Sequence, residues 1–295
     1  MTLDVGPVRQ LDPGPFELAE GAFWHVERKR LFWFDILGGT LYSIAEDGSD
    51  RRKWRLGERA SAAGIIDRDA LLVASETGIW RFDLESERRT PVVPLEADDR
   101  RTRSNDGRIA PDGAFWIGTM GTRAEDGLGT FYRYDPDDEP PITTIRRHVT
   151  IPNSTCFAAD GSFAYFADTR ERVIRRARLE NGRPASEWEP HIDLRDDGLN
   201  PDGAVIDEDG CLWCAMFGAG QVQRFAPNGE RIGSLAFPAR QLTCPAFGGP
   251  DMTTLFVSSA WEHMAESDRG PNDGAIFAVE TNVRGRAEPR VRVPA

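Results

Sequence analysis

Three short stretches place an oxygen-bearing side chain at the same distance ahead of an acidic or polar turn. They are Asn105-Asp106-Gly107 before Pro111-Asp112-Gly113, Asn153-Ser154-Thr155 before Ala159-Asp160-Gly161, and Asn200-Pro201-Asp202-Gly203 before Asp207-Glu208-Asp209-Gly210. Superposing the turn glycines Gly113, Gly161 and Gly210 brings Asn105, Asn153 and Asp202 to one equivalent position, and matching the Gly-Ala pair after Asp202 to Gly21-Ala22 brings Glu20 there too. Two carboxylates and two amides converging from separate repeats form a set of hard oxygen donors suited to a divalent cation. The plainer alternative is that each oxygen accepts a hydrogen bond from a turn amide, as Asp and Asn often do at strand starts. Recurrence at one repeat position favours the cation.

What must position such residues is a set of hairpins. Each stretch runs into an apolar alternating segment, a Gly-containing turn and a second apolar segment, the pattern of a β-hairpin. Ala62-Ala63-Gly64-Ile65-Ile66 is a further copy with Ala62 at the key position, contributing no ligand, and Cys244-Pro245-Ala246-Phe247 begins a degenerate last copy. Further period-two strands follow at Thr40–Ile44, Gly78–Phe82, Thr130–Tyr134, Gln221–Phe225 and Ala275–Val279, and no long stretch has a helical apolar period. The key positions recur about every 42 to 49 residues, the length of one four-stranded propeller blade. Six copies predict an all-β, six-bladed β-propeller occupying 1–295 as a single domain. The alternating segment Pro7–Leu11 is expected to close the last blade as its outer strand, leaving no free edge at the joint. In that architecture Glu20, Asn105, Asn153 and Asp202 meet at one end of the axis.

At 295 residues, 40% of them hydrophobic, the chain can bury a sizeable core without staples. Its net charge of −12 argues against a nucleic-acid partner, because its arginines are dispersed among carboxylates rather than gathered into a basic face. Met1–Val8 lacks a basic region followed by an apolar stretch, and no run is long and apolar enough to span a bilayer, so a cytoplasmic, membrane-free protein is expected. Cys211 and Cys214 make a C-x-x-C, but on a strand positions three apart face opposite sides, so these and the remaining cysteines, Cys156 and Cys244, read as structural thiols. No Gly-x-Ser-x-Gly elbow or His-Glu-x-x-His pair is present, and the histidines His25, His148, His191 and His263 are scattered.

Taken together, Leu18-Ala19-Glu20-Gly21, Arg103-Ser104-Asn105-Asp106-Gly107, Trp116-Ile117-Gly118-Thr119-Met120, Pro152-Asn153-Ser154 and Asn200-Pro201-Asp202-Gly203 resemble the SMP-30/gluconolactonase/regucalcin family of six-bladed propeller lactonases over essentially the whole chain. The resemblance implies one divalent metal ion (Ca, Zn, Mn, Mg or Fe(II)) held by Glu20, Asn153 and Asp202, with Asp202 also the general base. It implies Arg103 and Asn105 at substrate-contacting positions and a sugar lactone as substrate. Where some members carry a substrate-binding Glu after Gly-Thr-Met, this chain reads Gly121-Thr122-Arg123-Ala124-Glu125. Arg123 entering the pocket favours a substrate with an anionic group; Glu125 entering instead restores the acid; a solvated loop arginine is the third reading. A phosphotriesterase-like hydrolase and a non-enzymatic calcium-binding or interaction propeller are the alternative functions, and a monomer or weak homo-oligomer is the expected state.

Overall fold

The computed structural model describes residues 3–294; Met1 and Thr2, the start of the segment read for a secretory signal, lie outside the described residues, as does Ala295. The described residues form an all-β propeller arrangement of antiparallel sheets, with two three-residue 3-10 turns, Thr169–Glu171 and Glu266–Asp268, as its helical elements. None of its helices is long and apolar enough to cross a membrane.

Strand pairing yields five sheets. Three have four strands each, running Ala19–His25 to Arg52–Arg55, Ala60–Ile65 to Arg89–Pro94, and Thr102–Ile109 to Ile142–Val149. The fourth begins at Pro152–Phe157 and has five strands, because the short strand Arg183–Pro184 and the strand Glu189–Asp193 both pair with Val173–Glu180. The fifth has eight: the repeats beginning at Asn200–Ile206 and Gln241–Gly248 are joined where Phe217 pairs with Gln241. The N-terminal strand Arg9–Asp12 lies antiparallel on Ile276–Glu280 at the outer edge of this sheet. Of the strands expected from alternation, Gln221–Phe225 is found with those bounds, while Thr40–Ala45, Gly78–Asp83, Gly129–Tyr134 and Ile276–Glu280 differ by a residue at one or both ends.

The core lies between sheets rather than within one. Trp33, Trp116 and Trp213 are wholly buried there together with Phe32, Phe34, Phe131, Phe166 and Phe256. The first strands of successive repeats touch one another around a closed ring. Gly21 abuts the Ser61 carbonyl; Ser61 Oγ donates to Ser104 Oγ at 2.7 Å; Asn105 Nδ2 donates to Asn153 Oδ1 at 3.2 Å. Ser154 Oγ then donates to the Asp202 carbonyl at 2.7 Å, Gly203 packs on Cys244, and Thr243 Oγ1 returns to the Ala19 carbonyl.

Candidate active site

In each of these innermost strands the pairing register slips near its start. The slips fall between Glu20 and Phe23, Ala60 and Ala62, Ser104 and Gly107, Asn153 and Cys156, Pro201 and Ala204, and Leu242 and Pro245. A bulge gives a strand extra residues against its partner and re-aims their side chains. Here it presents polar groups at one end of the ring, and two of its positions demand special backbone. Gly21 has φ +59° and a Cβ there would lie 2.0 Å from the Ser61 carbonyl oxygen; Ser154 adopts φ 55° despite its side chain.

Glu20, Arg103, Asn105, Asn153 and Asp202 are all buried at 3 to 7% exposure, at a place where burial of charge demands partners. The carboxyl groups of Glu20 and Asp202 are buried near enough to act on each other, so two negative charges there disfavour one another. Burial, then the neighbouring Asp106 carboxylate, pushes Glu20 up to about 7; burial and then Glu20 raise Asp202 well above the usual carboxylate range. An adjacent cation would relieve both by favouring the charged forms.

The amides are fixed from behind. Asn153 Nδ2 donates to Thr169 Oγ1 at 2.8 Å, and that hydroxyl donates to the Pro201 carbonyl at 2.7 Å. Asn153 Oδ1 accepts from Asn105 Nδ2, which also donates to the Pro152 carbonyl at 2.9 Å, and Oδ1 keeps a second lone pair for another partner. Arg103 donates from Nη1 to the Ser104 carbonyl at 3.0 Å and to Asn105 Oδ1 at 2.8 Å, while its buried Nε has no hydrogen-bond partner among the described residues. A buried orphan donor beside two carboxyl groups is suited to a ligand oxygen.

Not every expected residue joins this group. Arg123 lies in the turn after Phe115–Gly121 with its side chain 88% exposed, and its Nε meets Glu125 Oε1 at 3.4 Å. The two residues pair with each other in solvent, so the structure brings neither into the buried cluster. Conversely, Asp106 was not singled out from the sequence. It is 5% exposed, accepts from the Thr155 amide at 2.7 Å, and acts electrostatically on both Glu20 and Asp202. No sequence signal marks it, because the bulge that turns both Asn105 and Asp106 inward is visible only in the strand pairing.

The donor set is two carboxyls and an amide rather than a triad of charged, thiolate or imidazole groups; among the described residues no three His, Cys, Asp or Glu side chains are grouped to hold a metal. Hard oxygen donors of this kind fit a divalent cation. The four cysteines are buried and free, with Cys214 Sγ turned toward the Asp202 carbonyl at 3.7 Å.

A model of the SMP-30/gluconolactonase/LRE-like region matches residues 18–261. An L-arabinolactonase of Azospirillum brasilense is 34% identical over 282 residues, covering 92% of this chain and 91% of the relative. A 6-deoxy-6-sulfogluconolactonase of Pseudomonas putida is 31% identical over 278 residues, covering 93% and 95%. The crystal structure of a calcium-binding protein, regucalcin, from Agrobacterium tumefaciens superposes with a TM-score of 0.93 at 35% identity, covering 97% of this chain and 98% of that one. With its inner-strand motifs inside the matched region, the chain belongs to the SMP-30/gluconolactonase/LRE-like family.

Proposed function

We propose that the protein hydrolyses a sugar lactone to its aldonic acid at the buried end of the inner-strand ring, with a divalent cation held by Glu20, Asn153 and Asp202. The observation that carries this reading is the burial of two carboxyl groups, Glu20 and Asp202, with the amide of Asn153, whose oxygen keeps a free lone pair. When bound, the cation would supply Lewis-acid polarisation of the lactone carbonyl and a counter-charge for the two carboxylates. Asp202, ionised in that state, takes the proton of the attacking water. Arg103 offers its unpartnered Nε to the oxygen on which negative charge develops, and Asn105 holds Arg103 and Asn153 in register through its amide. Lactonase relatives supply the substrate class, and the ring of contacts supports counting the eight-stranded sheet as two blades of a six-bladed, single-domain propeller. A cytoplasmic monomer or weak homo-oligomer completes the reading.

The test is turnover of a panel of sugar lactones by chelated and metal-supplemented protein, with Asp202→Asn as the decisive variant. Chelation is expected to abolish turnover and a divalent ion to restore it. General-base assistance is worth about 100- to 10,000-fold, so kcat per folded, metal-loaded molecule should fall by that range in Asp202→Asn. A variant retaining more than about a tenth of the wild-type kcat removes Asp202 from the base role.

A further inference from the structure

Beside the candidate site, on the same end of the ring, an open groove of about 520 Å³ lies between the fourth and fifth sheets, lined by Thr169, Arg170, Arg172, Arg195, Asn200 and Phe217. It adjoins the site through two links. Thr169, which opens the groove's basic segment, accepts from Asn153 Nδ2 and donates to the Pro201 carbonyl. Asn200 stands two residues before Asp202 on one strand, a separation of about 7 Å at ~3.3 Å per residue.

The arginines differ in what they have to offer. Arg195 is held through Nε and Nη2 by the Asp193 carboxylate, as Arg101 is by Asp99 elsewhere in the molecule. Arg172 donates only Nε, to Asn200 Oδ1 at 3.0 Å, and neither Arg170 nor Arg172 has an ion-pair partner among the described residues. The one acid lining the groove, Glu171, is occupied by Arg146 at 3.2 Å and Arg175 at 2.9 Å. The segment that carries both arginines is also fixed in place: Asp168 accepts from the amides of Thr150, Ile151 and Arg170, and Arg172 closes the turn at φ 55° with its amide on the Thr169 carbonyl. Two guanidinium groups without a carboxylate partner among the described residues, one of them committed only through Nε, sit on a fixed turn within a short polyol's reach of the reacting end and form a receptor for an oxyanion.

We infer that Arg170 and Arg172 form a specificity subsite for an anionic group, such as a carboxylate, sulfonate or phosphate, at the end of the lactone substrate distant from its ring carbonyl. The inference rests on the lactonase reading for its reaction, and on the groove alone for its ligand. The neutral polyol tail of an ordinary aldonolactone gains nothing from two guanidinium groups, whereas an oxyanion gains charge-assisted, bidentate hydrogen bonds.

The test compares a neutral hexonolactone with the hexarolactone of the same ring that ends in a carboxylate, using the metal-supplemented full chain and the variants Arg170→Gln, Arg172→Gln and their combination. The wild type is expected to favour the anionic lactone in kcat/KM. Each single variant should lose about tenfold or more on that substrate, through KM, while staying within about twofold on the neutral one, as expected for loss of a charge-assisted hydrogen bond. Equal losses on both lactones, or none on either, overturn the subsite. If the wild type opens neither lactone, the lactonase reading fails by itself. The subsite is then judged by calorimetric titration of the open-chain hexarate against the hexonate: selective hexarate binding lost in the double variant supports it, and indifferent or absent binding overturns it. Arg172→Lys, which keeps the charge, separates loss of the anion contact from disturbance of Asn200, since only the former is rescued.

Discussion

Glu20 and Asp202 carry more chemistry together than either does alone. Either carboxyl in water would be ionised at neutral pH, but burial first, and then neighbouring carboxylates, raise both above the usual carboxylate range. This has a signed consequence for the metal-free protein. Because Glu20 moves from 4.5 to about 7 on folding, the native state binds more protons than the unfolded state between those values. Its contribution is therefore fully favourable below about 4.5, is lost as pH rises through the window, and levels off above about 7. Comparing unfolding midpoints of chelated wild type with Glu20→Gln isolates the effect: the wild type should lose ground to the variant as pH rises. Divalent metal binding inside the window should release protons, measurable by calorimetry in buffers of different ionisation heat. A gap that grows in favour of the wild type with rising pH, or binding without proton release, contradicts the raised Glu20 carboxyl.

Among elements, the bulge at the start of each innermost strand is what turns hairpins into a site. A regular strand alternates its side chains between faces; the slip between Ser104 and Gly107 lets both Asn105 and Asp106 lie buried near the carboxyl pair. Gly21 is the most exacting position in this device. A side chain there meets the left-handed penalty of about 1–2 kcal/mol and also the Ser61 carbonyl at 2.0 Å, so the first and second sheets must part. Gly21→Ala should lower the unfolding midpoint and weaken divalent-metal affinity together, because the Gly21 amide also donates to Glu20 Oε2 at 2.7 Å. Unchanged metal affinity in a folded Gly21→Ala protein would show that the bulge does not hold Glu20 in place.

For the whole molecule, the C-terminal segment matters as much as the ring. After the last sheet the chain crosses the ring's other end. Gly285 bridges to Asp207, Arg286 donates to the Ala159 carbonyl, Glu288 pairs with Arg108 at 2.6 Å, and the Val291 amide donates to the Ile65 carbonyl. Arg108 and Glu288 are 11% and 15% exposed at the side chain, around a small cavity of about 50 Å³ shared with Cys156 and Phe157. Burial disfavours the charge on Arg108, but the Glu288 carboxylate and the further neighbours behind it, Asp106 among them, together outweigh that cost and raise the group. Removing one partner of such a pair strands the other, at about 3–5 kcal/mol. Glu288→Ala is therefore expected to lower denaturant stability by that order, and Arg108→Met combined with Glu288→Leu to recover most of it. A loss below about 1 kcal/mol, the size of a solvated ion pair, would mean that the segment does not seal this end.

Much of this was legible without coordinates, because strand alternation and turn glycines are local properties. The repeats, the strand positions and the convergence of Glu20, Asn105, Asn153 and Asp202 follow from spacing along the chain, while the ligand set Glu20, Asn153 and Asp202 is what the resemblance of the motifs to the family implies. Side-chain direction at an irregular backbone was not legible. Alternation cannot show that the bulge buries Asp106, nor that the turn after Gly121 leaves Arg123 beside Glu125 in solvent. Nor does local pattern reveal partners distant in sequence, such as the Arg108–Glu288 pair or the single Phe217–Gln241 link that merges two repeats into one sheet. Those depend on which surfaces meet when the ring closes, and closure is a property of all the sheets at once.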